Sequence, residues 1–463
     1  MPRRQRRDSI LDFGGPNSIN NFVGSVNRSL SFGRFSDYHP RDLRDDDYDE
    51  NQPVFDETAS LIGTSRAPSI VGEGPTPIIG STVQQTVFNA VNVLVGMGIL
   101  SLPLGFRLAG WIPGLIMLAL GPLFTGYTAN LLGKILDKHH LLRSYSDIGQ
   151  RALSKSWYSL LVLTFIFDLF GASLSLVILF SDSFGSISDE LSPTMLKLGL
   201  CVALVGLSLI PLAILSALSL LGIMCVVCIV CSIGYSGFAK TTAPGSLLDP
   251  METALWPRSW MSLLVASGIF WAPWGGHVVL PELHRDMRHP YRYKEAVTAT
   301  YSFAFIIDGI TGSIGYLMFG HLTLPEVTSN ILITKGYPLL LRSTITVCMG
   351  LLPLSKLPLF TLPIISFLES ILGKLPAKKV FSRLLVAASL FFTSLIVTDF
   401  GKIQSLMGAL ICVGTCITAP LVFYLILFKD EITRGERAKL YLGIFASLVV
   451  SALGTVGAVF GES

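Results

Sequence analysis

The chain has 463 residues, 51% of them hydrophobic and only 14% charged, with a mean hydropathy of +0.61. A soluble domain needs roughly 25% charged residues to face water, so most of this surface faces lipid and a soluble enzyme is excluded. The net charge of +3, with basic residues scattered through short loops, excludes a nucleic-acid-binding stripe.

Residues 1–80 are rich in Asp, Arg, Ser, Asn, Gly and Pro and carry little apolar periodicity. They read as a disordered cytoplasmic tail ahead of a membrane domain over 81–463. Met1 to Arg7 are basic but no apolar h-region follows, so no cleavable signal peptide is expected. The sequon Asn27-Arg28-Ser29 lies in the tail and is expected to stay unmodified.

From Thr82 onward eleven apolar runs follow, near 82–107, 111–136, 157–181, 194–214, 216–239, 259–281, 296–319, 337–366, 381–399, 402–428 and 438–460. Each meets or approaches the about 20 residues that cross a hydrocarbon core of roughly 30 Å. Pro211 makes the fourth and fifth hard to separate. Pro338, Pro353, Pro358 and Pro363 make the eighth a candidate for tilt or kinking. Lys and Arg crowd into alternate loops, at Lys134–Lys155, Arg285–Lys294, Lys374–Arg383 and Lys429–Lys439. The positive-inside rule then puts these loops and the N-terminus in the cytoplasm and the C-terminus on the far, luminal side.

The first span reads Phe88-Asn89-Ala90-Val91-Asn92-Val93-Leu94-Val95-Gly96-Met97-Gly98-Ile99-Leu100-Ser101-Leu102-Pro103. Glycine holds a helix poorly and proline removes a backbone donor. Two readings of this spacing stand: a helix opened at mid-membrane beside a cavity, or a close helix–helix contact through small residues. The sixth span is interrupted in the same way, at Gly268-Ile269-Phe270-Trp271-Ala272-Pro273-Trp274-Gly275-Gly276-His277. Two interrupted spans five helices apart mark an inverted repeat of spans 1–5 and 6–10, with the eleventh outside it. Opened half-helices present N–H groups to a carboxylate and C=O groups to a cation or ammonium. Val95, Gly96, Met97, Gly98, Phe270, Trp271, Trp274 and Gly275 are therefore the candidate substrate site. The aromatics either lid that cavity or pack in the core.

Ionisable groups inside spans are functional candidates by default. Asp168, Asp308 and Lys356 are the clearest. Lys356 either supplies an ammonium facing the broken first span or snorkels to the cytoplasmic edge. His277 either responds to protons near neutrality or is a neutral ring bonded to a backbone carbonyl. Cys225, Cys228 and Cys231 recur every three residues in an apolar run without polar company, so they read as packing residues and no metal site is expected. All seven cysteines fall in apolar runs, which argues against a disulfide framework. No phosphate-binding loop appears; energy comes from an ion gradient, or flow is downhill. No cofactor is implied.

These segments resemble the amino acid/auxin permease family over roughly residues 80–460. The matching stretches are Asn92 to Pro103, Gly110-Trp111-Ile112-Pro113-Gly114, and Gly275-Gly276-His277-Val278-Val279-Leu280-Pro281-Glu282. Arg285-Asp286-Met287-Arg288-His289-Pro290 is most similar to the vacuolar amino acid transporters related to the vesicular inhibitory-amino-acid transporters. The resemblance implies an all-α leucine-transporter fold of two inverted five-helix repeats plus one helix, with helices 1 and 6 broken. It implies exchange of luminal protons for cytosolic amino acids, neutral ones favoured. Asn92 matches the asparagine implicated in cation coupling in the sodium-coupled neutral amino acid branch, so Asn92, Lys356 and His277 are the ion-coupling candidates, with Lys356 favouring protons over sodium. Glu57-Thr58-Ala59-Ser60-Leu61-Ile62 resembles an acidic dileucine sorting signal read by adaptor proteins. The alternatives are an uptake permease of the plasma membrane and an amino acid sensor signalling through the tail.

Overall fold

The structure is a computed structural model, and it describes residues 81–185, 192–209, 212–372 and 376–461. The tail, with Glu57, Leu61 and Ile62, lies outside the described residues, as does Pro211.

Among the described residues the fold is wholly helical apart from one isolated bridge between Ser81 and Met287. The helices are α1 (Val83–Leu94), α2 (Leu102–Ala109), α3 (Trp111–Lys138), α4 (Tyr145–Ala152), α5 (Lys155–Gly185), α6 (Pro193–Leu207), α7 (Leu212–Ala239) and α8 (Trp260–Trp271). They continue with α9 (Leu280–Asp286), α10 (Tyr293–Phe319), α11 (Val327–Ile333), α12 (Leu339–Leu372), α13 (Pro376–Ile396), α14 (Phe400–Leu406), α15 (Ala419–Leu427) and α16 (Arg434–Phe460). Starts are set locally. Thr82 with Gln85, Ser144 with Asp147, Ser259 with Ser262 and Thr433 with Glu436 each form a reciprocal capping box, satisfying two backbone donors that a helix start leaves open.

Among the described residues, eight helices are long and apolar enough to cross a membrane. The pair α1 and Met97–Ala109, bent by 50° at its break, makes a ninth. The two remaining apolar runs correspond to the shorter helices Pro193–Leu207 and Trp260–Trp274. Their outward faces are apolar, as at Phe167, Val202, Met224, Phe303 and Phe445, all exposed, which suits a lipid surround rather than water.

The first and sixth spans lie inside the bundle. α2 packs on α8 and α10, and α12 packs on α5 and α7. The eighth span, α12, is one unbroken helix despite Pro353, Pro358 and Pro363. Two hydroxyls add bonds within it, Ser355 donating to the Leu352 carbonyl at 2.8 Å and Thr361 to that of Leu357 at 2.9 Å. The tenth span carries a feature the sequence reading lacks, a π-helical stretch over Met407–Thr418.

Candidate functional site at the two helix breaks

The first break follows α1 directly. The Val95 amide still donates to the Val91 carbonyl at 2.8 Å. Gly96 then turns to φ −134°, ψ −145°, and the chain resumes as a 3-10 turn over Met97–Ser101. Pro103, in the first turn of α2, costs that helix nothing because its N–H would be unpaired there. The second break follows α8 through a 3-10 turn, Ala272–Trp274. At Gly275 the angles are φ −76°, ψ 62°, and the Gly276 amide donates to the Trp274 carbonyl at 2.9 Å. That is an inverse γ-turn, and helix resumes only at Leu280.

The two breaks touch. A methyl group at Gly98 would stand 3.2 Å from the Pro273 nitrogen, and one at Gly276 would stand 2.8 Å from Leu94 Cδ2. Beside Gly96, by contrast, there is open space, and Gly275 is exposed. The interrupted backbones thus meet each other while leaving peptide groups accessible, at the ends of half-helices where dipoles are uncompensated.

A third element closes the group. A methyl at Gly268 would lie 2.1 Å from the Ser405 carbonyl oxygen, and one at Gly408 would lie 1.8 Å from that of Gly268. Only glycine permits so close an approach of α8 to the tenth span. Ser405 adds a bond from its hydroxyl to the Val265 carbonyl at 2.8 Å. The π-helical stretch begins where this contact is made, and such widened turns recur at functional positions.

The remaining sequence-singled residues fall as follows. Phe270 and Trp274 are fully buried and Trp271 is buried. Phe270 meets Phe106 edge-on at 5.1 Å, and Trp274 stacks on Tyr301 at 6.0 Å against Gly121 of α3. These rings pack behind the breaks. Asn92 and Val95 to Gly98 are half-buried. Lys356 of α12 is half-buried, with its stem near Gly222 of α7. Asp168 is half-buried in α5. Asp308 in α10 is buried, with one carboxylate oxygen lacking a hydrogen-bond partner. Among the described residues no cluster of ligating side chains could hold a metal ion, and every described cysteine is free.

His277 is fully buried just past the second break. Its Nε2 lies 3.1 Å from the Thr125 carbonyl oxygen and 2.9 Å from the Thr128 hydroxyl. A carbonyl oxygen only accepts, so Nε2 carries the proton. Thr128 donates onward to the Cys416 carbonyl at 2.6 Å and so accepts from the ring. Nδ1 is then the unprotonated nitrogen, and it has no partner. The ring thereby joins α3, the second break and the tenth span, and it keeps one lone pair free. Thr125, Thr128 and Tyr301 are site neighbours that the sequence reading did not single out.

At the end of the sixth span the breaks are tied down. The Ser81 amide donates to the Asp286 carbonyl at 2.6 Å, and the Arg288 amide returns a bond to the Ser81 carbonyl at 3.0 Å. The Arg285 guanidinium donates to the carbonyls of Leu136 in the last turn of α3, at 2.7 Å, and of His139 and Leu142 in the loop after it, at 2.8 and 2.9 Å. His284 Nε2 stands 2.9 Å from an Asp137 carboxylate oxygen.

Residues 80–460 match the family described as transmembrane amino acid transporter protein. The chain belongs to that family. Its relatives include two Arabidopsis thaliana proteins. Amino acid transporter AVT1H is 27% identical, with 82% of this chain and 88% of the relative covered. Amino acid transporter AVT1I is 25% identical, with 81% and 94% covered. Among solved structures, a mutant manganese transporter from Eremococcus coleocola superposes with a TM-score of 0.52 at 12% identity, over 85% of this chain and 90% of that one. That likeness concerns the fold alone, which is the leucine-transporter type that the family resemblance implied. As a member of the family the chain is an integral membrane transport protein and not an enzyme.

Proposed function

We propose that this amino acid transporter is a secondary active carrier that exchanges protons for amino acids, neutral ones favoured, across a vacuolar or lysosome-like membrane. The observation that carries the reading is the junction of the two breaks. There Gly98 lies against Pro273, with open space beside Gly96 and Gly275 exposed. A zwitterion presents a carboxylate and an ammonium to such a spot, and half-helix ends answer both charges. Val95 to Gly98 and Gly275 supply the backbone, while Phe270, Trp271 and Trp274 brace it from behind.

Proton coupling is supported by His277. Its Nδ1 has no hydrogen-bond partner, so a proton taken up there would leave the bonds at Nε2 intact, two residues past Gly275 of the second break. Asn92 lies one turn before the first break. Lys356 contributes a positive charge in the eighth span, set against α7. The vacuolar placement rests on the resemblance of Arg285 to Pro290 and on the dileucine-like Glu57, Leu61 and Ile62, which adaptor proteins would read on a cytoplasmic tail.

The test is flux of a panel of labelled amino acids through purified protein in liposomes, with and without a pH gradient. The expected result is accumulation driven by the gradient and collapsed by a protonophore. Flux that ignores the gradient overturns proton exchange; flux of no amino acid overturns the substrate class.

A further inference from the structure

The seventh span, α10, carries a carboxyl group that the site at the breaks does not use. α10 lies along the broken first span. Its early residues Ala296, Val297 and Thr300 line one small cavity together with Thr86 and Ala90 of α1. Its later turns press on α2: a methyl group at Gly312 would stand 3.1 Å from Leu102 Cβ, and one at Gly315 would stand 2.8 Å from Pro103 Cβ. α10 also packs on the 3-10 turn Met97–Ser101 that joins α1 to α2. Asp308 falls between the two contacts, one helical turn before Gly312 and on the same face. That puts it level with the first break.

Asp308 exposes only 1% of its surface. Its Oδ1 is sealed from solvent with no hydrogen-bond partner. Among the described residues no ion pair includes it. The elements packed on α10 explain why. α1 and the turn Met97–Ser101 carry no titratable side chain. The one charge of α2 is Arg107, whose guanidinium donates to the Thr323 carbonyl at 2.7 Å. Those of α3 lie toward its far end and serve other partners: Lys134 stands over the Tyr424 ring, Asp137 meets His284, and Lys138 meets Glu431. α7, which meets α10 near Met318, has the thiols of Cys225, Cys228 and Cys231 and the phenol of Tyr235, but no charge. On α10 itself Tyr301 and Tyr316 are neutral phenols, and the Tyr316 hydroxyl accepts from the Ala254 amide at 2.8 Å. Glu326, at the entry to α11, stands two turns further along, where Gly315 meets Val327. None of these charges acts on the Asp308 carboxyl.

This carboxyl has therefore lost water and gained no cation. Its charged form is costly in such a seat, and a group so placed stays neutral by keeping a proton. Among the described residues no group of three or more His, Cys, Asp or Glu side chains forms. A divalent metal ion thus lacks its ligand set, and a proton is the cation that fits.

We propose that Asp308 is a second proton-binding site, filled while α10 is closed on the first break and emptied when that contact opens to water. With the proton in place the side chain is neutral, and α10 lies against the unwound turn. When the first span moves away, water reaches the carboxyl and takes the proton, and the O–H electron pair stays on the carboxylate. Uptake of a proton precedes reclosure. Its use in transport rests on the proton exchange proposed above; the site itself rests on burial and packing.

The test is infrared difference spectroscopy of the full chain in lipid at about pH 7, unaltered protein minus Asp308→Asn. An ordinary aspartic acid is protonated in roughly one molecule per thousand at that pH. The expected result is a protonated-carboxyl stretch equal to about one group per chain, roughly a thousandfold more, and absent from the variant. Asp308→Leu is expected to lack the same band, and it serves where Asp308→Asn does not fold. Both variants are neutral and are expected to melt no lower than the unaltered chain. Absence of the band overturns the site. So does its removal by sodium chloride at constant pH, which would assign the carboxyl to that cation, and so does failure of both neutral variants to fold, which would mark the negative charge as needed. A band with flux that ignores the pH gradient counts against proton exchange and leaves the site standing. Gradient-driven flux without the band removes the site and leaves the exchange.

Discussion

His277 Nε2 and the Thr128 hydroxyl lie 2.9 Å apart although 149 residues separate them in the chain. The pair fastens the second break to the second span and leaves the other ring nitrogen open.

Thr128→Val therefore removes a hydroxyl that both accepts from the ring and donates to the Cys416 carbonyl. Orphaning such buried groups costs about 1–3 kcal/mol. The expected outcome is a lower melting temperature in detergent, with gradient-driven transport retained in part. His277→Gln keeps a side chain able to donate to the Thr125 carbonyl but offers no nitrogen to a proton. Amino acid exchange without a gradient is expected to persist while acceleration by the gradient is lost. Unchanged coupling in that variant would remove His277 from the proton path.

Two glycines in the first break are expected to behave oppositely. Gly98→Ala presses a methyl onto Pro273 at 3.2 Å, and overpacking of this kind costs about 1–3 kcal/mol. Gly96→Ala meets open space, so stability is expected to hold. Gly96→Leu fills that space and is expected to abolish transport while membrane insertion continues. Thermal stability and liposome flux, measured side by side, separate these effects.

Gly408→Ala places a methyl 1.8 Å from the Gly268 carbonyl oxygen, whereas Gly414→Ala meets nothing within 4 Å. The first is expected to cost about 3 kcal/mol and to reduce the folded yield sharply. The second is expected to match the unaltered protein by size-exclusion profile.

Arg285→Gln strips the carbonyls of Leu136, His139 and Leu142 of a charged donor. Hydrogen bonds to charged groups are worth about 1.5–3 kcal/mol each, not additively. A loss of about 3 kcal/mol in stability is expected, read by thermal unfolding. Faster exchange of the amides near residues 136–142 would locate the damage.

The breaks were legible because glycine and proline are conspicuous inside long apolar runs. Gly96, Gly98, Pro273 and Gly275 announce themselves by residue type, and span lengths follow from bilayer thickness. What surrounds the breaks was not legible. Thr125 and Thr128 look like ordinary polar residues of a helix, and only the approach of the sixth span gives them a ring to hold. The π-helical stretch has no local signature either; Gly408 reads as one more small residue until Gly268 is laid against it. Trp274 was a candidate lid from composition, yet its place against Gly121 and Tyr301 depends on helix packing that spacing does not encode. Lys356 stood out as a charge in lipid, but that its stem passes near Gly222 depends on the packing of another helix.

The Arg285 clamp has a mechanical consequence. The last turn of α3 with the loop that follows it, the start of the first span through Ser81 and the end of the sixth through Asp286 are bolted into one knot. None of these segments can swing outward by itself. An exit route on that side must open by tipping the whole knot as a single lever, with the flexing confined to the glycines at mid-depth.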